Sequence, residues 1–311
     1  MASRPVRRLK NAAKYFPLDD GEKQKEVKAL RTTHYFAPES LDEALELLAE
    51  YGDRATILAG GTDVMVDMAM GRLKPEVILY IGNLPLNGIE ERDGALFIGP
   101  TTKMATLARS PLVAEKAPVL AEAASKMGSP LVRNLATVGG NLVTASPAAD
   151  TASALLGLGA EVRLSCTTGE RWMPLEDFFT GPKECACEAP ELLTEIRIPL
   201  SGGKRGSRFI KLGRRKAVTL SVVNVTVVLD FDDGACRQAR IALGAVAPTP
   251  IRSRRAEALL TGQVVNDELI AEAAQAALSD ISPIDDGRAS AWYRRKVTAV
   301  LVARALKEAV A

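Results

Sequence analysis

The stretch TILAGGTDVMVDM, residues 56–68, ends a strand-like apolar run on two glycines and continues at once with apolar residues at helical spacing. A Gly-Gly junction of this kind can be an ordinary tight turn. It can also bring the backbone within hydrogen-bonding distance of a ligand, because glycine has no Cβ. A second stretch, TVGGNLVTASPAAD at residues 137–150, repeats the arrangement.

Both glycine stretches lack the spacing of the common nucleotide-binding motifs. Neither contains G-x-G-x-x-G, and no G-K-[ST] follows either of them. Successive backbone N–H groups in a glycine turn can still form an anion-binding concavity, to which a following helix N-terminus adds partial positive charge. Two such loops, one in each of two subdomains, would suit a pyrophosphate. Two purely structural turns are the alternative interpretation.

The composition is that of a globular protein. The chain has 311 residues, 47% apolar and 25% charged, which is enough for two or three packed units. A net charge of +2 gives no reason to expect nucleic-acid binding. Basic residues are concentrated at residues 1–30 and in KRGSRFIKLGRRK, residues 204–216. These stretches are either solvated faces or candidate docking elements for partner subunits.

The cysteine and histidine content argues against a metal site. The four cysteines, Cys166, Cys185, Cys187 and Cys236, form no C-x-x-C pair, and His34 is the single histidine. The usual ligand set of a zinc site is therefore missing, and free thiols fit a reducing compartment. We find no signal peptide and no run of eighteen apolar residues, so we expect a cytoplasmic location and no membrane span.

The pattern predicts an N-terminal extension, residues 1–30, followed by a first unit at residues 31–82. In this unit SLDEALELLAEYG, residues 40–52, predicts a helix that Ser40 caps and Gly52 ends. The strand ATILAG, the first glycine turn and the strand PEVILYIG follow.

Two further units follow, at residues 83–203 and 204–311. In the second unit we expect Thr101 or Thr102 to cap a short helix, and Ser146 to cap a long helix with Pro147 at its first position. The third unit begins as a series of strands with a hairpin turn at Asp233-Gly234. It ends in helices, of which the last is long and amphipathic, so it has a β-then-α layout.

Several segments together resemble a known family. ILAGGTDV and TVGGNLVTASPAAD, followed by ELLTEIRIP, FIKLGRR, ALGAVAPTPIRSRRAEALLTG and YRRKVTAVLVARAL, are similar in order and spacing to the flavin subunit of the molybdenum hydroxylases. That family includes the medium subunit of CO dehydrogenase and the FAD domain of xanthine dehydrogenase. The resemblance implies an α+β chain with an FAD-binding fold of the vanillyl-alcohol oxidase (PCMH) type. Two α/β subdomains would hold FAD between them, and a C-terminal β-then-α domain would close over it.

The resemblance also implies which residues bind FAD. The first loop would wrap the pyrophosphate with Ile57, Leu58, Ala59, Gly60, Gly61, Thr62, Asp63 and Val64. The second loop would hold its other side with Thr137, Gly139, Gly140 and Asn141. Asp150 matches an acidic residue near the ribityl or adenosine part, Leu193 a position near the adenine, and Thr101 and Thr102 a loop near the isoalloxazine. Lys211 matches a lysine near the flavin ring, where its charge would stabilise the anionic reduced flavin.

The function implied by the resemblance is electron transfer within a larger complex. Electrons would come from a molybdenum-cofactor large subunit through a [2Fe-2S] small subunit, and FAD would pass them to an acceptor such as NAD or a quinone. No catalytic side chain is expected, because the flavin carries the chemistry. Two alternatives remain: a self-contained flavin dehydrogenase or oxidase of the same fold, and a non-enzymatic phosphate-ligand-binding or assembly module.

Overall fold

The computed structural model describes residues 33–215 and 217–311, so the extension predicted at residues 1–30 lies outside the described residues. The first unit is a small parallel sheet with the strand order β1-β3-β2. Its elements are β1 (His34–Phe36), α1 (Leu41–Tyr51), a 3₁₀ turn (Gly52–Arg54), β2 (Ala55–Leu58), α2 (Val64–Ala69) and β3 (Val77–Tyr80).

Helix α1 has the ends that its sequence predicts. The Ser40 hydroxyl accepts a hydrogen bond from the Glu43 N–H at 3.2 Å, which satisfies one of the free donors of the first turn. Gly52 follows the helix with φ of 50°, a conformation that favours glycine. Ala44, Leu45 and Leu48 form its buried face.

The second unit is built on an antiparallel sheet with the strand order β4-β5-β10-β6-β7. Its strands are β4 (Ile89–Arg92), β5 (Ala95–Ile98), β6 (Glu161–Cys166), β7 (Gly169–Pro174) and β10 (Leu192–Pro199), with a separate small hairpin of β8 (Phe179–Gly181) and β9 (Glu184–Cys185). Its helices are α3 (Met104–Arg109), α4 (Pro111–Lys116), α5 (Pro118–Lys126), α6 (Pro130–Leu135), α7 (Val138–Val143), α8 (Asp150–Gly157) and α9 (Leu175–Phe178).

Two of the predicted helix caps in this unit are wrong. Helix α3 is preceded by Lys103 with no side-chain cap, because the Thr102 hydroxyl instead bonds to the backbone of Gly88. Helix α8 begins at Asp150 and not at Pro147. The Pro147 carbonyl accepts a hydrogen bond at 2.7 Å from the N–H of Ala245, which holds that segment in a turn.

The third unit is an antiparallel sheet with the order β11-β12-β13-β14 and helices beside it. Its elements are β11 (Lys204–Gly213), β12 (Ser221–Asp232), β13 (Ala235–Gly244), β14 (Ile251–Arg252), α10 (Arg254–Leu260), α11 (Asp267–Ala276), a 3₁₀ turn (Ala277–Ser279) and α12 (Ala291–Val310). The predicted hairpin is confirmed, since Asp233 and Gly234 join β12 to β13 with φ of 46° and 83°. The long terminal helix is confirmed as α12.

Strand β12 contributes to the cores of both the second and the third unit, because both of its faces are buried. Val228 belongs to the core that surrounds α8, whereas Val225, Val227 and Leu229 belong to the core under α12. Residues 33–311 accordingly form one compact unit. The division at residues 82 and 203 stays a prediction, although each part has a sheet of its own.

In residues 33–215 and 217–311, no helix is long and apolar enough to cross a membrane.

Candidate functional site

A cleft of about 630 Å³ is bounded by loops of all three units. This volume lies in the range of small-molecule and cofactor sites. Most of the predicted site residues line it: Ile57, Ala59, Gly60, Gly61, Thr62, Asp63, Val64, Thr137, Gly139, Gly140, Asn141, Asp150, Leu193 and Lys211. Their roles as FAD ligands stay a prediction, but the fold does bring them to one cavity.

The first glycine loop offers a row of free backbone donors. Among the described residues, the N–H groups of Gly60, Gly61, Thr62, Asp63 and Val64 have no hydrogen-bond acceptor. All five residues line the cleft. The first N–H groups of a helix have no intrahelical acceptor, and here they continue a glycine turn whose N–H groups are also free. Such a run of donors on a cavity wall fits an anionic ligand.

The glycines themselves are explained by contacts within the chain. A Cβ on Gly60 would lie 2.1 Å from the carbonyl oxygen of Leu135, and a Cβ on Gly139 would lie 2.5 Å from Cβ of Pro100. Both distances are far shorter than any real contact. Glycine is therefore needed so that the loops at residues 60, 100 and 135–139 can pack backbone against backbone and form the cleft wall.

The second glycine stretch is a capped helix start, so the expectation of a second row of free donors is wrong. The Gly139 N–H donates to the Pro100 carbonyl at 2.8 Å, and the Gly140 N–H donates to Thr137 Oγ1 at 3.1 Å. What this segment can offer a ligand is side-chain polarity. The Thr151 hydroxyl donates to Asn141 Oδ1 at 2.6 Å, which leaves the amide N–H groups of Asn141 for the cleft.

Asp150 and Lys211 form a buried ion pair on the cleft wall. Lys211 Nζ lies 2.5 Å from Asp150 Oδ2 and donates a second hydrogen bond to the Lys126 carbonyl at 3.0 Å. The two side chains are only 7% and 4% exposed. Asp150 Oδ1 accepts from Ser221 Oγ at 2.5 Å and from Asn224 Nδ2 at 3.2 Å.

The ion pair reduces the positive charge that Lys211 presents to the cleft. Burial raises the pKa of Asp150, while the ammonium of Lys211 and the donors on Ser221 and Asn224 oppose that rise by stabilising the carboxylate. The charge of Lys211 is consequently compensated within the chain. The resemblance implied a cation near the flavin ring, and the structure shows that this cation is paired with a carboxylate.

Three predicted site residues lie outside the cleft wall. Leu58 belongs to strand β2, and its side chain packs beneath Gly61. Thr101 and Thr102 are buried at 4% and 3% exposure, behind Pro100, which does line the cleft. Their burial follows from the chain reversal that pairs the Thr101 N–H with the Leu86 carbonyl.

Several cleft residues were not predicted from the sequence. They are Ile81, Pro100, Met127, Gly128, Val132, Ala136, Val143, Thr144, Ser146, Ala148, Ala149, Lys183, Cys187, Leu192, Val218, Thr219 and Leu220. Lys183 adds an exposed cation, with φ of 65° in the turn before β9. Burial raises the pKa of the Cys187 thiol to about 12, so this thiol is protonated. Nothing in the sequence distinguishes Lys183 from other surface lysines, so it was not predicted.

The cleft mouth is apolar. Val143, Val218 and Leu220 line the cleft and are exposed on the surface. Five more apolar side chains are exposed beside other cleft residues: Met65 and Val66 in α2, Met70 directly after it, and Leu131 and Leu135 in α6. Apolar side chains that are exposed beside a cleft are typical of a ligand-binding groove or of a protein–protein contact.

In the part of the chain that the structure describes, no three His, Cys, Asp or Glu side chains are placed to hold a metal ion. The four cysteines are free thiols.

Comparison with known proteins agrees with this geometry. Residues 28–201 match the family described as FAD binding domain in molybdopterin dehydrogenase, and residues 208–309 match the CO dehydrogenase flavoprotein C-terminal domain. The chain is 34% identical over 276 residues to the carbon monoxide dehydrogenase medium chain of Hydrogenophaga pseudoflava, covering 88% of this chain and 96% of that one. It is 34% identical over 274 residues to the nicotinate dehydrogenase FAD-subunit of Eubacterium barkeri, covering 86% and 92%. A solved structure of the Hydrogenophaga enzyme superposes with a TM-score of 0.86, covering 89% of this chain and 96% of that one.

Proposed function

This chain belongs to the family of FAD-binding chains of the molybdopterin dehydrogenases, and on that premise we propose that it is the electron-transfer subunit of a molybdenum-containing hydroxylase or dehydrogenase complex. It is an FAD-binding oxidoreductase subunit. The structural observation that carries the proposal is the row of unpaired N–H groups from Gly60 to Val64 on the cleft wall. Such donors suit the phosphates of FAD, which need hydrogen bonds more than countercharges.

The residues of the cleft fit FAD in three respects. The loop at residues 60–64 supplies backbone donors for the pyrophosphate. Thr137 and Asn141 supply a hydroxyl and an amide on a second side, and Lys183 supplies a cation. When bound, FAD supplies the capacity to take up and release electrons, and the chain's own task is to bind it, orient it and limit its contact with water.

We propose that the electrons come from a [2Fe-2S] partner chain, which is reduced in turn by a molybdenum-cofactor chain, and that they leave to an acceptor such as NAD or a quinone. Within residues 33–215 and 217–311, no cluster of His, Cys, Asp or Glu side chains could hold a metal ion in place of these partners. The apolar mouth is a suitable surface for the iron–sulfur chain, because exposed apolar side chains beside a cofactor cleft are typical of protein–protein contacts.

The basic stretch at residues 204–216 is a weaker candidate for docking than its sequence suggests. Arg205 pairs with Asp230, Arg208 with Glu308, and Lys211 with Asp150, so these charges are compensated within the chain. Its docking role, like the cytoplasmic location suggested by the free thiols, stays a prediction.

The test begins with the visible absorption spectrum of the purified chain and identification of any released flavin. We expect oxidised-flavin bands, with FAD released at about one per chain. We also expect the isolated chain to be reduced by chemical reductants but not by candidate hydroxylase substrates until the molybdenum and iron–sulfur chains are added. Turnover by the isolated chain would support a self-contained flavin enzyme instead. A colourless chain that takes up no added FAD would overturn both.

A further inference from the structure

We propose, on the basis of the function proposed above, that Ser221 and Asn224 are positioning residues: they hold the Asp150 carboxylate against Lys211 and thereby set the redox potential of FAD in the cleft. Neither residue lines the cleft. Both lie on β12, are fully buried, and reach the cofactor site only through Asp150.

The first step is the hydrogen-bond geometry around one oxygen atom. Asp150 Oδ1 accepts from Ser221 Oγ at 2.5 Å and from Asn224 Nδ2 at 3.2 Å, while Lys211 takes the other oxygen at 2.5 Å. A buried carboxylate is expensive unless it is paired and hydrogen-bonded. The two donors on β12 therefore fix both the charge and the orientation of Asp150.

The second step is that Asn224 is itself held in place by its neighbour on the next strand. Asn224 pairs with Gly244 across β12 and β13, and a Cβ on Gly244 would lie 2.4 Å from Asn224 Oδ1. Asn224 Oδ1 has no partner among the described residues, although it is buried. An unpaired buried amide oxygen costs free energy. This cost is consistent with a role for the other end of the amide, the Nδ2 group that donates to Asp150.

The third step concerns charge at the cleft wall. Asp150 is faced by Lys211 on β11 and by Ser221 and Asn224 on β12. From α5, only the Lys126 carbonyl contacts the ion pair of Asp150 and Lys211. The further titratable groups on the cleft wall are Lys183, Cys187 and Asp63. With Asp150 ionised, the pair is neutral overall. With Asp150 protonated, the wall gains one positive charge, which favours the reduced and more negative cofactor and raises its potential.

Removing the hydrogen-bond donor of Ser221 or of Asn224 should increase the fraction of Asp150 that is protonated. Hydrogen bonds to a carboxylate favour its charged form, so Ser221→Ala and Asn224→Leu should raise the pKa of Asp150 further. We expect the midpoint potential of bound FAD to become more positive than that of the wild type. The shift should grow as the pH is lowered and approach the shift of Asp150→Asn, which should be present at every pH.

The experiment measures the potential of bound FAD by equilibration with reference dyes between pH 6 and 9, in the full chain. Thr226→Val is the matched control, because Thr226 lies two residues from Asn224 on the same buried face, and its hydroxyl has no partner among the described residues. Ser221→Thr keeps a hydroxyl and should restore the wild-type potential. Thermal unfolding reports whether each variant is folded.

The outcomes separate this inference from the proposed function. If the wild type takes up no FAD, the proposed function fails. If the wild type binds FAD and Ser221→Ala leaves its potential unchanged at all pH values, only the positioning role fails. Should Asn224→Leu not fold, Ser221→Ala still decides, because relative to the wild type it removes a single hydroxyl group, whereas Ser221→Thr keeps that group.

Discussion

Gly60 lies where two backbone segments of the cleft wall come closest. A Cβ at this position would meet the Leu135 carbonyl at 2.1 Å, and a backbone atom cannot rotate out of the way. We expect Gly60→Ala to displace the loop whose N–H groups face the cofactor and to weaken FAD binding at least ~10-fold, or about 1.4 kcal/mol. Titration of the FAD-free chain with FAD, followed by flavin fluorescence, measures this change.

Gly202 provides the matched control for that substitution. A Cβ on Gly202 has no atom within 4 Å, and the residue does not line the cleft. Gly202→Ala should therefore bind FAD as the wild type does. Unchanged FAD affinity in Gly60→Ala would show that the loop contact does not hold the donors in place.

The first turn of α7 depends on the Thr137 hydroxyl as its N-cap. Thr137→Val removes the acceptor of the Gly140 N–H and should lower the free energy of unfolding by about 1 kcal/mol. FAD affinity should fall as well, because Thr137 lines the cleft. Urea unfolding without FAD and a separate FAD titration measure the two effects.

Two further substitutions distinguish an effect of the Thr137 cap from a general loss of stability. Thr137→Ser keeps the cap and should recover most of the stability. Ser40→Ala removes a comparable cap from α1, away from the cleft, and should lower stability without changing FAD affinity. A loss of FAD affinity in Ser40→Ala would mean that general stability, and not the local cap, controls cofactor binding.

Helix α12 is anchored at its start by Arg294, which is 1% exposed. The guanidinium donates to the Val222 and Ala245 carbonyls at 2.8 and 2.7 Å and to Asp286 at 2.7 Å. Burial alone would raise the pKa of Asp286, but hydrogen bonds from Arg288, Ala289 and Arg294 hold it well below its usual value. The carboxylate is therefore more strongly favoured in the folded state than in the unfolded state.

Asp286→Asn should accordingly lower the free energy of unfolding at pH 7 by about 2 kcal/mol, because a buried guanidinium loses its charged partner. A lowered folded-state pKa gives stability that is present above pH ~4 and lost as the pH falls below it. The difference between variant and wild type should thus shrink between pH 5 and 3 in urea unfolding. The exposed Asp267→Asn should show little difference at either pH, and an equal effect there would contradict the assignment.

Local signals predicted elements well where the chain's own neighbours decide the structure. The Ser40 cap and the Asp233-Gly234 hairpin are examples, since each is complete within a few residues. Prediction failed where a distant group competed. Pro147 lies in a turn because its carbonyl accepts a hydrogen bond from the N–H of Ala245, almost a hundred residues away. Thr102 does not cap α3, because its hydroxyl donates to the carbonyl of Gly88.

At the scale of the whole molecule, the chain has cores that its sequence units share. Phe209 and Val228 of the third unit are buried in the same cluster as α8 of the second. The Asp150 hydrogen bonds cross between these units as well. We therefore expect calorimetry to show one unfolding transition with equal calorimetric and van't Hoff enthalpies. Two separate transitions would mean that the third unit is stable without the second.

The same shared packing explains which parts of the cleft the sequence could reveal. The glycine loops were visible because they carry a repeated pattern, and the resemblance added Asp150 and Lys211. It could not show that these two residues pair, because the donors that fix them, Ser221 and Asn224, lie on a buried strand whose polar residues carry no motif.

The apolar mouth of the cleft also bears on the order of assembly. Val143, Val218 and Leu220 are exposed and also line the cleft, so the cleft is open to solvent beside them. If the iron–sulfur chain proposed above covers these side chains, it closes this opening. FAD would then have to be inserted before the complex is put together, and a subunit incorporated empty would stay empty. Cofactor supply during biogenesis, and not affinity alone, would then limit how much working complex a cell can make.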